Sequence, residues 1–207
     1  MDLFETLRDD ILKQKIENGT KLTEATVCEM YGVSRTPVRE AFQKLELDGL
    51  IDIIPNKGAF VRGLTLQDIK DMYELRKAYE VICVQFAIDR ITDDAMTKLK
   101  ESYDLMEFFR IKEDPDKFMQ MNTQFHQILY SATGNRMLQH VLTSYQVYTK
   151  NTKLSHEYIR EYFDEVLAEH KAIYEGIVNK DKEAAAKAAA IHMDNSKRRA
   201  GFSLEDK

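Results

Sequence analysis

Gly32-Val33-Ser34-Arg35-Thr36-Pro37-Val38-Arg39-Glu40 is the stretch whose reading decides the fold. It reads as a turn followed by the opening of a helix that reads DNA. Ser34 is a good N-cap residue, because a hydroxyl can accept from a free backbone N–H of the first helical turn. Pro37 falls within that turn, where a missing N–H costs little. Val38, Ala41, Phe42 and Leu45 then recur at i, i+3, i+4 and i+7, an apolar stripe for a core. Arg35, Arg39 and Gln43 recur every four residues on another face, which begins at the helix N-terminus, where a recognition helix meets base edges. Arginine bonds guanine in bidentate fashion; Thr36 and Gln43 suit bases or phosphates. A capped surface helix with solvated arginines is the bland alternative, and the flanks weigh against it.

The 207 residues are 43% hydrophobic and 31% charged, an ordinary globular composition with length for two modest domains. Glycine (8) and proline (3) are scarce, which favours long helices over an all-β fold. Net charge is −5, and residues 1–62 carry 9 Lys and Arg against 11 Asp and Glu. Nucleic-acid contact therefore has to come from the local placement of a few cations, and a dimer is the expected route to useful affinity. Cys28 and Cys83 lie far apart in helical patterns and read as small buried thiols rather than a disulfide. The acidic N-terminus is no signal peptide and no apolar run approaches a membrane span, so the expectation is a cytoplasmic protein without membrane contact.

Leu3, Leu7, Ile11, Leu12 and Ile16 predict a helix of about four turns, ended by Asn18-Gly19. Thr23 caps a short second helix to Tyr31, and Gly32 permits the sharp turn of a helix-turn-helix. The third helix runs from Arg35 to about Leu47. A hairpin follows, with Ile51-Asp52-Ile53 and Ala59-Phe60-Val61-Arg62 joined by Pro55-Asn56-Lys57-Gly58. Three helices and a hairpin make a winged helix-turn-helix, with Lys57 and the Gly58 backbone at a wing tip that suits a phosphate or the minor groove. Turn chemistry alone also explains such a tip.

These residues, from Leu22-Thr23-Glu24 through Tyr31 to Phe42, Leu45 to Leu50 and Asn56 to Val61, closely resemble the GntR family of bacterial transcription regulators. The resemblance covers residues 3 to 62. It implies that Arg35, Thr36 and Arg39 contact operator DNA, with Gly58 at the wing, and that a homodimer binds a palindromic site.

Gly63 reads as a hinge, dividing a DNA-binding domain (residues 1–63) from an all-α domain (64–200) and a loose tail (201–207). Thr65 and Asp68 resemble a capping box at the head of a long helix. Thr92 caps the next, and Asp114-Pro115 opens a third that carries Phe118 to Leu129. A fourth is expected over 135–151, a fifth over 155–178 and a sixth to about Arg199. The alanine-rich run Glu183 to Ala190 reads as a packed helix, since alanine is the best helix former. The fold class is mainly α: a winged helix-turn-helix followed by a six-helix bundle.

Asn122 and His126, at i and i+4, share one helix face. His170 lies nine residues before Asn179 and His192 eleven after Asp181, so an antiparallel pair sets them nearly level. Three imidazoles from three helices suit a divalent transition metal, zinc or nickel foremost. Core or surface histidines are the commoner outcome for such wide spacing. The residues 122–126, 134–135, 169–173 and His192 resemble the FCD effector domain of the FadR branch, and the six-helix count its VanR-type subgroup. In metal-binding members an aspartate precedes the three histidines; here Asn122 stands in its place, which puts metal affinity in doubt. His140 and His156 match nothing. Arg76 sits beside the apolar face, either paired with Glu80 or clamping an effector carboxylate.

The expected function is a transcription regulator, not an enzyme, controlled by a small organic acid, with the metal itself as the alternative effector. A metal hydrolase or isomerase is a weaker rival: Glu169 lies about 100° around the helix from His170, so no general base is evident.

Overall fold

The computed structural model describes residues 2–55, 57–151 and 160–201. The chain packs as two compact units, one within residues 1–69 and the other within 70–207.

In the first unit, α1 spans Leu3–Leu12, β1 Lys21–Leu22, α2 Glu24–Tyr31, α3 Arg35–Leu47, β2 Ile51–Ile54 and β3 Gly58–Val61. The stripe Val38, Ala41, Phe42 and Leu45 is buried, together with Leu7, Ile11, Val27 and Leu50. α1 is shorter than its apolar spacing predicts. Lys13 caps it, Gln14 takes a positive φ of 57°, and the N–H groups of Lys15 and Ile16 both return to the Asp10 carbonyl. Ile16 is still buried, so the apolar rhythm continued through a tight turn rather than a helix. α2 opens on a reciprocal box in which Thr23 and Thr26 each accept from the other's backbone N–H. Gly32 closes α2 at φ 66°, the left-handed turn expected of it.

Ser34 occupies the N-cap position of α3 with an extended backbone, yet its side chain makes no cap hydrogen bond. A capping oxygen accepts from the second or third helical N–H, and the third residue here is Pro37, which has none. The sheet holds a strand that was not expected: β1 pairs with β3 antiparallel, in the order β1-β3-β2. Two residues are too short to show an alternating pattern. The hairpin register runs from Ile51 opposite Val61 to Ile54 opposite Gly58.

The second unit is helical. α4 (Leu66–Arg90) is entered through the reciprocal Thr65–Asp68 hydrogen bonds. α5 (Asp93–Ile111) is capped by Thr92, and α6 (Pro115–Ala132) by Asp114 with proline at its start. α7 spans Arg136–Asn151, α8 Phe163–Val178 and α9 Lys182–Arg199. Phe118, Phe125, Leu129, Leu142, Ile173 and Ala185 meet in one core. The expected fifth helix is not one piece. Tyr162 leaves helical geometry (φ −111°, ψ 7°) and α8 begins after it; the start expected at residue 155 lies outside the described residues. Six helices, α4 to α9, are present among the described residues of this unit.

α8 and α9 approach closely because their contact is made of small residues. A Cβ on Gly176 would stand 2.8 Å from the Ala185 backbone. That approach is why the alanine-rich run packs, and it holds His170 and His192 side by side. Among the described residues, no helix is long and apolar enough to cross a membrane.

Candidate functional site

His126 on α6, His170 on α8 and His192 on α9 converge inside the helical unit, all buried. Ring centroids lie 5.2 Å (His126–His170), 5.1 Å (His126–His192) and 4.7 Å (His170–His192) apart, and one nitrogen of each lies within 4.8 Å of the others. Hydrogen bonding fixes two of the tautomers. His170 Nδ1 stands 2.7 Å from the Val166 carbonyl, which only accepts, so Nδ1 carries the proton and Nε2 the lone pair. His192 Nδ1 likewise donates to Glu169 Oε2 at 2.7 Å. Among the described residues, His170 Nε2 and both His126 nitrogens are buried with no hydrogen-bond partner. Orphaned polar nitrogens this close together in a core are costly unless something bridges them. A divalent cation ligated by neutral imidazoles meets that need, at about 2.0–2.1 Å per bond for zinc. Asn122 is buried one turn before His126 on α6. His140 is exposed, and His156 lies outside the described residues.

Glu169, set aside in the sequence because it turns away from His170, is the carboxylate that orients His192 on the neighbouring helix. Its Oε2 accepts from His192 Nδ1 and Arg199 Nη2, its Oε1 from Asn195 Nδ2 and Arg199 Nη1. An angle around one helix says nothing about side chains arriving from the next. With both oxygens engaged, Glu169 positions a ring and is no general base.

Arg76 is buried on α4 with its charge met from within the protein. Nε and Nη2 reach Glu80 Oε1 at 3.2 and 3.1 Å, Nη1 donates to Thr149 Oγ1 at 2.8 Å, and Nη2 to the Tyr130 hydroxyl at 3.3 Å. Tyr130 in turn donates to Glu80 Oε1, and Glu80 Oε2 faces His126 Nδ1 at 3.6 Å. Burial alone would raise the Glu80 carboxyl; the His126 ring and Arg76 guanidinium beside it outweigh burial and hold it well below the usual carboxylate range. The pairing expected of Arg76 and Glu80 is therefore present, and it joins the histidine cluster to α4.

In the winged unit, Arg35, Thr36, Arg39 and Gln43 are all exposed along α3, and Lys57 is exposed beside Gly58. Arg39 Nε donates to Glu24 Oε1 at 2.7 Å, tying α3 to the start of α2. Asn56, part of the expected wing tip, lies outside the described residues.

Residues 2–61 match the bacterial regulatory proteins of the gntR family, and residues 71–195 match the FCD domain. The chain belongs to the GntR family. Regulators of this family bind operator DNA and are not enzymes. The chain is 28% identical over 191 residues to the HTH-type transcriptional regulator YdhC of Bacillus subtilis, covering 89% of this chain and 85% of that one. It is 27% identical over 198 residues to the transcriptional repressor RspR of Escherichia coli, covering 92% and 84%. Among solved structures, Escherichia coli McbR/YncC shares the fold at a TM-score of 0.71 and 17% identity, over 96% of this chain and 95% of that one.

Within this GntR-family chain the histidine cluster has a pH signature. Burial first, then the neighbouring rings, hold His170 and His192 well below 6.5. A depressed folded-state value means that stability is present above the unfolded value and is lost as pH falls below it. The metal-free protein is expected to lose about 1.4 kcal/mol per pH unit for each of these rings below roughly pH 6.5. Denaturant unfolding from neutral pH to about pH 5.5 measures it; flat stability across that window would show that the rings protonate in place.

Proposed function

We propose that the chain is a one-component transcription regulator, in which residues 1–63 bind a palindromic operator as part of a homodimer and residues 64–200 form the effector domain. The tail expected at 201–207 lies, from residue 202 on, outside the described residues, and the protein works in the cytoplasm. The observation that carries the effector reading is the convergence of the buried His126, His170 and His192, in which the nitrogens of His126 and Nε2 of His170 have no hydrogen-bond partner among the described residues. These three, with the neutral Asn122 alongside, would hold a divalent transition metal, zinc or nickel. When bound, the metal would supply a Lewis-acidic cation that attracts the carboxylate of a small organic acid. To shift an equilibrium, that acid must bind the DNA-competent and DNA-released states with different affinity.

A second reading draws on Arg76. Its guanidinium is already filled by Glu80, so an effector carboxylate has to displace Glu80 to be clamped there. This favours a metal that is itself the effector. Operator binding measured before and after chelation, with organic acids added back, separates the two: an acid response only in the metal-loaded protein supports the first, and a response to the metal alone the second.

For the DNA face, Arg35, Thr36, Arg39 and Gln43 would read base edges from α3, with Lys57 and Gly58 at the wing. The uncapped Ser34 supports this, since its hydroxyl is not spent on the helix. Arg39→Ala is expected to weaken selective binding by about 10–100-fold, the worth of one bidentate base contact. A duplex selected by the parent protein from a random pool, compared with unselected duplex, measures it. Unchanged discrimination with an unchanged melting curve would remove α3 from the recognition role.

A further inference from the structure

Residues 1–62 carry more acids than cations, so which cations remain unneutralised decides where a polyanion can bind. Arg8, Lys13, Lys15, Arg39 and Lys44 form ion pairs with Glu5, Asp9, Asp10, Glu24 and Asp2. Arg35 and Arg62 stand in the fields of Glu24 and Asp68. Lys21 and Lys57 are left, exposed and with no acidic partner among the described residues. Both belong to the wing. Lys57 precedes Gly58 in the hairpin, and Lys21 sits on β1 opposite Phe60 of β3.

The Lys21 side chain leans along β3 toward the wing tip. Its ammonium lies 6.0 Å from the centre of the Phe60 ring, and its Cε would stand 3.3 Å from a Cβ on Gly58. Gly58 holds φ at 102° and has no side chain, which leaves that space to the lysine stem. Phe60 supports the stem while the charge stays in water. We propose that Lys21 is a further DNA contact: a phosphate-binding cation contributed by β1, which together with Lys57 brackets the bare Gly58 backbone. This rests on the operator-binding reading of the winged unit. It also gives the unexpected strand β1 a role, since pairing with β3 is what carries Lys21 to the wing.

A phosphate contact and a base contact differ in what they do to salt dependence. Each phosphate neutralised contributes about −0.9 to the slope of log K against log salt. The full-length protein, Lys21→Ala, Lys21→Arg and Arg39→Ala are titrated across salt concentrations, with a duplex selected by the parent from a random pool and with unselected duplex. Lys21→Ala is expected to make the slope shallower by about 0.9 per subunit and to weaken both duplexes equally. Lys21→Arg is expected to keep the parent slope. Arg39→Ala should instead lose the difference between the duplexes. An unchanged slope for Lys21→Ala, with the parent still discriminating, would overturn the Lys21 contact and leave the operator reading standing. If the parent selects no duplex at all, the operator reading fails and this contact fails with it.

Discussion

Arg76→Ala is expected to destabilise the helical unit by about 3–5 kcal/mol, the typical cost of breaking a buried ion pair. For a chain of this size that lowers the melting midpoint by on the order of 10 °C. The reason lies less in the lost attraction than in what stays behind. Glu80 is buried, and its Oε1 receives Arg76 and the Tyr130 hydroxyl. Without Arg76 the carboxylate keeps a neutral hydrogen bond but no cation fixed against it, and Thr149 loses its guanidinium partner. The pair has no comparable advantage over apolar residues of similar volume. Arg76→Met combined with Glu80→Leu should therefore recover most of the loss. Chemical denaturation of the single and double variants measures both. A single-variant loss below about 1 kcal/mol, the range of exposed pairs, would show that water reaches this pair. The double variant also separates the two effector readings. It keeps the three histidines, so it should still take up metal; a lost response to organic acid would assign Arg76 the clamp.

The parts of this fold legible in the sequence are those written into one segment. Val38, Ala41, Phe42 and Leu45 are buried on α3 because helical spacing puts them on one face, whatever packs there. Thr65 with Asp68, and Asp114 with Pro115, carry their helix starts in their own hydrogen bonds. The level placement of His170 and His192 follows from counting residues out of one short turn. What was not legible depends on a second segment. β1 is two residues that form a strand only because β3 offers an edge. Ser34 has the right side chain for a cap, but its partner three residues on is a proline. Glu169 and Arg199 meet across the α8–α9 contact, where the spacing along either helix is silent. The same holds for Thr149 and Tyr130 around Arg76.

His126→Ala combined with His170→Ala is expected to abolish stoichiometric metal binding while leaving the folded unit intact. Two of the three candidate ligand side chains are removed, and His192 alone, held by Glu169, is a single ligand. The fold should survive because the imidazoles contribute few internal hydrogen bonds among the described residues: His170 gives one to Val166, and His126 makes none, its Nδ1 only facing Glu80 at 3.6 Å. Native mass spectrometry with elemental analysis reads metal content directly, and equal metal in variant and parent would falsify the three-histidine site. Two milder changes test how the site is tuned. Glu169→Gln keeps an acceptor on His192 but removes the charge that raises the ring's basicity, for an expected 10–100-fold loss of metal affinity. Asn122→Asp works in the other direction. Three neutral imidazoles and a neutral amide leave the full charge of a dication uncompensated, while Arg76 with Glu80 and Arg199 with Glu169 already balance each other. Adding a carboxylate beside His126 should strengthen metal binding and, by cancelling one positive charge, weaken the pull on an anionic effector. If metal affinity rises while organic-acid affinity falls, Asn122 is the residue that leaves charge available for an acid. If both rise together, the acid is held chiefly by protein side chains, with Arg76 foremost among them.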